Sequence, residues 1–406
     1  MRERVILHSD LNNFFASVET VLCPELKGKP LIVCGDPKAR KGVVLAKNYE
    51  AKAYGIQTAE TVYSALKKCP QVQMRPTHFK EYNRYSKLVQ EIYARFTDRI
   101  DVCSIDECAL DVTESVKLFG SGVQIAEKIR TAVKEETGLT VSIGVSFNRA
   151  YAKLASELKK PDAVTWVSKE NYREKVYPLP AGDLMMIGKN TAQTLSLYGI
   201  KTIGDLANAD EGLLIKLLGK RGVQVRVYAR GEDETPVGLY GEEDEIKSIG
   251  NSMTLPYDVS DRNEIKRLLY VLAESVAARL READAGKCDT VHITVKDAFL
   301  KESGKQKKIP PTALCGDIAQ AAYELYQKHC PVGFKAHLLG ISVSGFDHHV
   351  EQMQIGEIGG KNYDKRQRAE NAVAKIREKY GYEKMQRGIV MEDEKLIGLD
   401  VKGLKD

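Results

Sequence analysis

Asp10 closes the apolar run Val5-Ile6-Leu7-His8-Ser9, and a second acidic pair, Asp106-Glu107, stands inside Ser104-Ile105-Asp106-Glu107. Both places fall where a strand pattern ends. Residues 5–10 read as a buried strand closing on a carboxylate. Residues 100–105 and 108–112 read as two strands with the acids at their junction. If the fold brings the two places together, three carboxylates share one site. Like charges that close stay ionised together only when cations lie between them. The chemistry that uses such a cluster is that of divalent metal and phosphate. Mg²⁺ binds through one or two carboxylates plus substrate phosphates, and a pair of such ions can activate an attacking oxygen and stabilise a leaving pyrophosphate. On this reading Asp10 and Asp106 bridge both ions, and Glu107 holds the one that activates the attacking hydroxyl. A single acid in a turn would be read as a solvated turn residue; the combination is what carries the inference.

The elements that must position these acids follow from periodicity. Tyr82, Tyr85, Leu88, Val89, Ile92 and Phe96 recur at helical spacing over 80–97, and Val123, Ala126, Ile129 and Val133 do so over 122–137, where Gly138 supplies a stop. Residues 139–146 form another strand pattern. The order is strand 5–10, helix 80–97, strand 100–105, strand 108–113, helix 122–137, strand 139–146. This is a split βαβ, or ferredoxin-like, unit with a long insertion after its first strand. In that topology the first and third strands are antiparallel neighbours, so the end of strand one sits beside the turn joining strands two and three. Asp10 is thereby expected to meet Asp106 and Glu107.

The insertion, roughly 16–75, holds a strand at 31–34 and the segment 43–55. A helical region is expected over 165–232. Within it Leu184–Lys189 and Leu195–Leu206 read as a helix-hairpin-helix opened by Gly188 and closed by Gly199. Residues 232–245 are acidic and aperiodic, as a linker would be. Strand patterns at 247–254, 289–295 and 337–343, with amphipathic helices at 263–282 and 318–329, make a second α+β domain. A Lys/Arg-rich tail follows, with one helix at 365–380. A length of 406 residues suits two to four domains, and 43% apolar with 29% charged residues suits a soluble globular protein. The net charge of +5 permits a polyanionic partner. Eight cysteines match neither a zinc pattern nor a disulfide framework and read as reduced thiols. The chain enters its first strand directly and has no apolar run of membrane-spanning length, so neither signal peptide nor membrane anchor is expected, and the location is read as cytoplasmic.

Asp10-Leu11-Asn12-Asn13-Phe14-Phe15-Ala16-Ser17-Val18-Glu19 and Ser104-Ile105-Asp106-Glu107-Cys108-Ala109-Leu110-Asp111 resemble the two signature segments of Y-family translesion DNA polymerases, most closely the bacterial DinB/UmuC-like branch. Asn48-Tyr49-Glu50-Ala51-Lys52 and Leu158-Lys159-Lys160-Pro161 follow in the family's order. The likeness spans essentially the whole chain. It implies a palm at 1–15 and 76–164, fingers at 16–75, a thumb at 165–232, a linker at 233–246, a little finger at 247–350 and a basic tail at 351–406. It also implies a monomer that adds deoxynucleoside triphosphates to primer-template DNA with two Mg²⁺ ions, and that tolerates damaged templates.

In that pattern Asp10, Asp106 and Glu107 are catalytic metal ligands, joined by the Leu11 carbonyl. Asn13, Phe14, Phe15, Tyr49, Lys52 and Lys160 hold the nucleotide. Phe15 is the steric gate, whose ring leaves no space for a 2′-hydroxyl, while Asp111 is structural. Lys52 stands where the family often has Arg, giving a point charge in place of a bidentate fork. Gly188 and Lys189 match a DNA-phosphate contact at a helix N-terminus, although Met186 replaces the usual first glycine of that hairpin. Lys296, Lys301, Lys305, Lys307 and Lys308 are placed to track a duplex backbone. Gln352-Met353-Gln354-Ile355-Gly356 is similar to a sliding-clamp peptide without its terminal anchor. Two rival readings share the palm: a nucleotidyl cyclase, and a DNA-binding relative without activity.

Overall fold

The structure, a computed structural model, describes residues 3–35, 42–242, 245–347, 360–381 and 384–391. The chain divides into two units, Met1–Glu243 and Asp244–Asp406. In chain order the first contains β1 (Ile6–Leu11), α1 (Phe14–Leu22), β2 (Leu31–Cys34), β3 (Val44–Lys47), α2 (Tyr49–Ala53), α3 (Val62–Lys68), β4 (Gln73–Arg75), α4 (Phe79–Ala94), β5 (Ile100–Val102) and β6 (Glu107–Asp111). Then come α5 (Val116–Phe119), α6 (Gly122–Thr137), β7 (Val141–Ser146), α7 (Arg149–Leu158), β8 (Val164–Trp166), α8 (Tyr172–Val176), α9 (Lys189–Leu197), α10 (Ile203–Asn208), α11 (Glu211–Leu218) and α12 (Lys220–Arg230).

The main sheet runs β5-β6-β1-β7-β8, which is the split βαβ order with one strand added. β1 is antiparallel to both β6 and β7, while β8 is parallel to β7. All six residues of β1 are buried because both faces of the sheet are covered. Side chains alternate between those faces. Leu7 and Leu11 enter the large core with α4 and α6, whereas Ile6 and Ala109 meet Ala152 of α7 on the opposite side. α6 forms as expected: Ser121 and Gln124 make a reciprocal capping box, and Gly138 ends the helix at φ 73°.

Beside the main sheet, α7 and β8 were not expected. α7 is capped by the Asn148 side chain and buries Ala150, Tyr151, Leu154 and Ala155. β8 corrects the start of the expected helical region, because residues 164–166 add an edge strand. α7 approaches the sheet at Gly144, where a Cβ would lie 1.9 Å from the Ala152 carbonyl oxygen and 2.5 Å from the Ser156 nitrogen. Gly144→Ala is therefore expected to push α7 off the sheet. It should lower stability by roughly 1–3 kcal/mol, read as a drop in the urea midpoint.

The insertion folds as a three-stranded sheet, β3-β2-β4. β2 faces two ways: Leu31 and Val33 join the large core, and Ile32 and Cys34 join a smaller one with Val44, Ala51 and Ile56. Ala16 and Val18, at the expected start of the insertion, also pack in the large core. The helical layer after β8 has its own core around Leu195, Ile203, Leu206 and Leu214. Residues 184–188, expected to be helical, form a turn that leads into α9. Residues 235–240 of the expected linker run along the β5 edge, where Gly238 N–H donates to Asp101 (2.8 Å) and Tyr240 N–H to the Asp98 carbonyl (2.8 Å).

The second unit contains β9 (Ser248–Val259), α13 (Arg262–Glu282), β10 (Lys287–Asp297), β11 (Glu302–Thr312), α14 (Cys315–His329), β12 (Ala336–Asp347), α15 (Gly360–Tyr380) and α16 (Gly388–Met391). Its antiparallel sheet has the order β11-β10-β12-β9, with α13 and α14 sharing its core. β11 was not expected, and it places Lys305, Lys307 and Lys308, read as lying close to strand ends, inside a strand. Its polar sequence with Pro310 and Pro311 is what a sheet edge tolerates, since an edge need not bury both faces or donate every N–H. Gln352–Gly356 lies outside the described residues.

Candidate active site

The antiparallel register sets Asp10 directly opposite Glu107, and Leu11 N–H donates to the Asp106 carbonyl at 3.0 Å. The end of strand one and the hairpin therefore do meet. Asp10 and Glu107 point to the same face because opposed residues of an antiparallel pair share one. That face lies against α7, which contributes Glu157. Asp10, Glu107 and Glu157 each offer a carboxylate oxygen, all within 4.8 Å of one another. Asp106 joins the site through its backbone but is not a member of this group. It lies in the turn, where Ser104 Oγ donates to its Oδ1 at 2.6 Å and also receives Glu107 N–H at 3.1 Å. The expected set was Asp10, Asp106 and Glu107; the third acid gathered here is Glu157. The available signal for Glu157 was its place three residues before Lys160 on an amphipathic stretch.

Cations already attend the cluster. Lys160 Nζ stands 2.8 Å from Asp10 Oδ2 and 2.7 Å from Glu157 Oε1. Lys153 pairs with Glu107, and His8 Nε2 lies 3.5 Å from Glu107 Oε2, the outer limit of a hydrogen bond. Burial raises the Asp10 carboxyl to about 7; Glu157 and Glu107 add to the rise and Lys160 opposes it. Glu107 is held down to about 2 by its contact with His8 and by Lys153, against the cost of burial. His8 is lowered by burial. Burial also works against the Lys160 charge, but its pairing with Asp10 and Glu157 prevails and raises it. The donors are carboxylate oxygens, without thiolate, and suit a hard divalent cation such as Mg²⁺. The two lysines show that the pocket draws positive charge. These residues fit the metal.

The residues expected to hold the nucleotide converge on the same end of the sheet. Asn13, at φ 48°, turns the chain from β1 into α1, leaving Phe14 and Phe15 in the first helical turn. The Phe15 ring stacks on Tyr82 at 4.2 Å and 11°, with Phe79 edge-on at 5.8 Å. Tyr82 is fixed in turn: its hydroxyl donates to Glu19 (2.6 Å), a fully buried carboxylate that also meets His78 (2.7 Å) and Arg75 (3.2 Å). Asn12 locks the loop that carries Lys160. Its Nδ2 donates to Ser142 Oγ (2.9 Å), and its Oδ1 accepts from Asp162 N–H (2.8 Å). Tyr49 is raised by burial, with Lys160 opposing and Asp10 adding, as its place beside the cluster requires. Lys52 Nζ lies 5.8 Å over the Tyr49 ring. Lys47, unremarked in the sequence, is lowered by burial and by Lys52, so it belongs to the same basic group.

Gly188 and Lys189 stand in the helical layer, Gly188 as the N-cap of α9. Met186 just before them adopts φ 68°, a left-handed conformation that suits glycine. Met186→Gly is expected to relieve this strain and stabilise the chain by about 1 kcal/mol, read as a higher urea midpoint.

Residues 9–157 match the impB/mucB/samB family, and residues 246–356 match the C-terminal domain of that family. A DNA polymerase IV of Acetivibrio thermocellus is 42% identical over 396 residues, covering 96% of this chain and 98% of its own. A DNA polymerase IV of Clostridium kluyveri is 38% identical over 399 residues, covering 97% of this chain and 99% of its own. Among solved structures, the Y-family DNA polymerase chimera Dbh-Dpo4(243-245)-Dbh superposes with a TM-score of 0.75 at 26% identity, covering 84% of this chain and 99% of that one.

Proposed function

This chain belongs to the impB/mucB/samB family of Y-family DNA polymerases, and on that premise we propose that it copies damaged DNA templates by a two-Mg²⁺ mechanism seated at Asp10, Asp106 and Glu107. It is a DNA-directed DNA polymerase, acting on primer-template DNA and deoxynucleoside triphosphates. The observation that supports the seat of catalysis is the register of Asp10 against Glu107, with Leu11 bonded to Asp106. When bound, the ions activate the primer 3′-hydroxyl and neutralise the departing pyrophosphate.

The residues of this chain do the rest. Asp106 would complete the ligand set by exchanging its Ser104 hydrogen bond for the metal, and the Leu11 carbonyl would add to it. Lys160, Lys52 and Tyr49 orient the triphosphate, with the Asn13 and Phe14 amides below it, and Phe15 presses on the sugar. The main sheet serves as palm, the three-stranded insertion as fingers, the helical layer as thumb with Gly188 and Lys189 on a DNA phosphate, and the second unit as little finger. No helix among the described residues is long and apolar enough to cross a membrane.

Primer extension with each dNTP offered singly, on undamaged and abasic templates, tests the proposal. Template-dictated addition with continued synthesis past the lesion is expected. Addition that halts at every lesion would remove the translesion role. Cyclic product from free ATP or GTP in place of extension would remove the polymerase reading.

The Asp10 carboxyl also sets a pH dependence. It stands at about 7, so below that pH a proton must leave before a cation can bind. Mg²⁺ affinity is expected to fall as pH drops from 8 to 6, approaching about ten-fold per unit. Calorimetric titration near pH 6.5 in two buffers of different ionisation heat should detect proton release, which should vanish by about pH 8.5. Equal heats in both buffers at the lower pH would contradict it.

A further inference from the structure

We infer that Lys160 is a resident cation of the carboxylate cluster, and that Glu157 is the positioning residue that receives it when a divalent ion takes Asp10. The inference rests on reading the cluster as the metal site. One ammonium spans two carboxylates, 2.8 Å from Asp10 Oδ2 and 2.7 Å from Glu157 Oε1. A divalent ion and an ammonium repel one another and cannot share Asp10 Oδ2. Because Asp10 offers an oxygen to each of the two proposed ions, filling the site would displace Lys160 from Oδ2.

The surroundings restrict where it goes. The loop after α7 is fixed: Asp162 N–H donates to Asn12 at 2.8 Å, and the Asp162 carboxylate pairs with Arg130 and Lys134 at 2.7 Å each. With that loop held, Lys160 leaves Asp10 by movement of its side chain. The two acids also differ in place. The Asp10 side chain is 11% exposed, at the floor of the site, whereas the Glu157 side chain is 52% exposed, at its rim. Lys160 held by Glu157 alone is thus still paired, and it stands at the mouth through which a triphosphate must enter. The same face of α7 carries Lys153, four residues before Glu157, on Glu107. Metal and triphosphate become coupled through one side chain: phosphate draws Lys160 off Asp10, and the metal drives it toward phosphate.

The test is Mn²⁺ titration of the nucleotide-free protein, followed by the free-ion electron paramagnetic resonance signal. Wild type, Lys160→Gln, Glu157→Gln, the double variant and Asp10→Asn are compared, with Lys160→Met as a second removal of the charge and thermal unfolding to verify each fold. Loss of the ammonium is expected to tighten Mn²⁺ binding roughly 5- to 20-fold. Glu157→Gln, which leaves Lys160 on Asp10 alone, should weaken it several-fold. In the double variant that weakening should disappear, so that it matches Lys160→Gln within about two-fold. If neither Lys160 variant binds more tightly, the resident-cation role is wrong. If Glu157→Gln weakens binding equally in both backgrounds, Glu157 is a metal ligand and not the receiver of Lys160. If Asp10→Asn binds Mn²⁺ as wild type does, the metal-site reading itself fails, and the inference with it.

Discussion

Asp10→Asn is expected to abolish nucleotide addition, by on the order of 10³-fold or more, while leaving the protein folded. The two effects separate because of where Asp10 sits. It is buried, and its carboxyl is raised to about 7, so the fold already disfavours its charge. A neutral amide of the same shape removes that cost; Lys160 keeps Glu157, and the β1–β6 ladder does not involve the side chain. The melting temperature should be unchanged or higher. Activity should be lost, because Asp10 is the acid that meets both strand neighbours and both remaining carboxylates. Single-turnover incorporation of one dNTP, alongside a thermal melt, checks both halves. A variant that is inactive and also unfolded would leave Asp10 with a structural role; one that keeps a tenth of its activity would remove it from the metal site.

Phe15→Ala is expected to collapse the choice between deoxyribo- and ribonucleotides, raising relative ribonucleotide incorporation at least about 100-fold. A gate of this kind works only if the ring cannot yield. Phe15 is supported by Tyr82 at 4.2 Å and by Phe79 at 5.8 Å, and Tyr82 is anchored on buried Glu19 at 2.6 Å. Tyr82→Ala should give a smaller change of the same sign, because it softens the gate without removing it. Steady-state efficiencies for matched dNTP and rNTP pairs measure this. Unaltered discrimination in Phe15→Ala would make the ring a packing residue of the α1–α4 contact.

The legible part of the fold was the part with strong periodicity and clear stops. β1, β6, α6 and β7 could be drawn from alternation, helical spacing and Gly138, and the topology then brought Asp10 to the 106–107 turn. What escaped has physical reasons. β11 is an edge strand, so Lys305, Lys307, Lys308 and the two prolines carry no inward–outward alternation. β8 is three residues long and takes its structure from pairing with β7. α7 was readable, since Ala150, Tyr151, Leu154 and Ala155 recur at helical spacing, and without it Glu157 had no route into the site. The side-chain state of Asp106 was out of reach: whether a turn acid faces the cluster or its own Ser104 depends on local hydrogen bonds and on the cations present.

The most direct test of the shared metal site is anomalous scattering from Mn²⁺ in crystals of the protein with primer-template DNA and a non-hydrolysable deoxynucleoside triphosphate. Two peaks are expected, each within roughly 2.0–2.3 Å of an Asp10 oxygen, with Asp106 released from Ser104 and Glu107 on the ion nearer the primer terminus. Peaks remote from Asp10, or none there with DNA and nucleotide in place, would contradict the account.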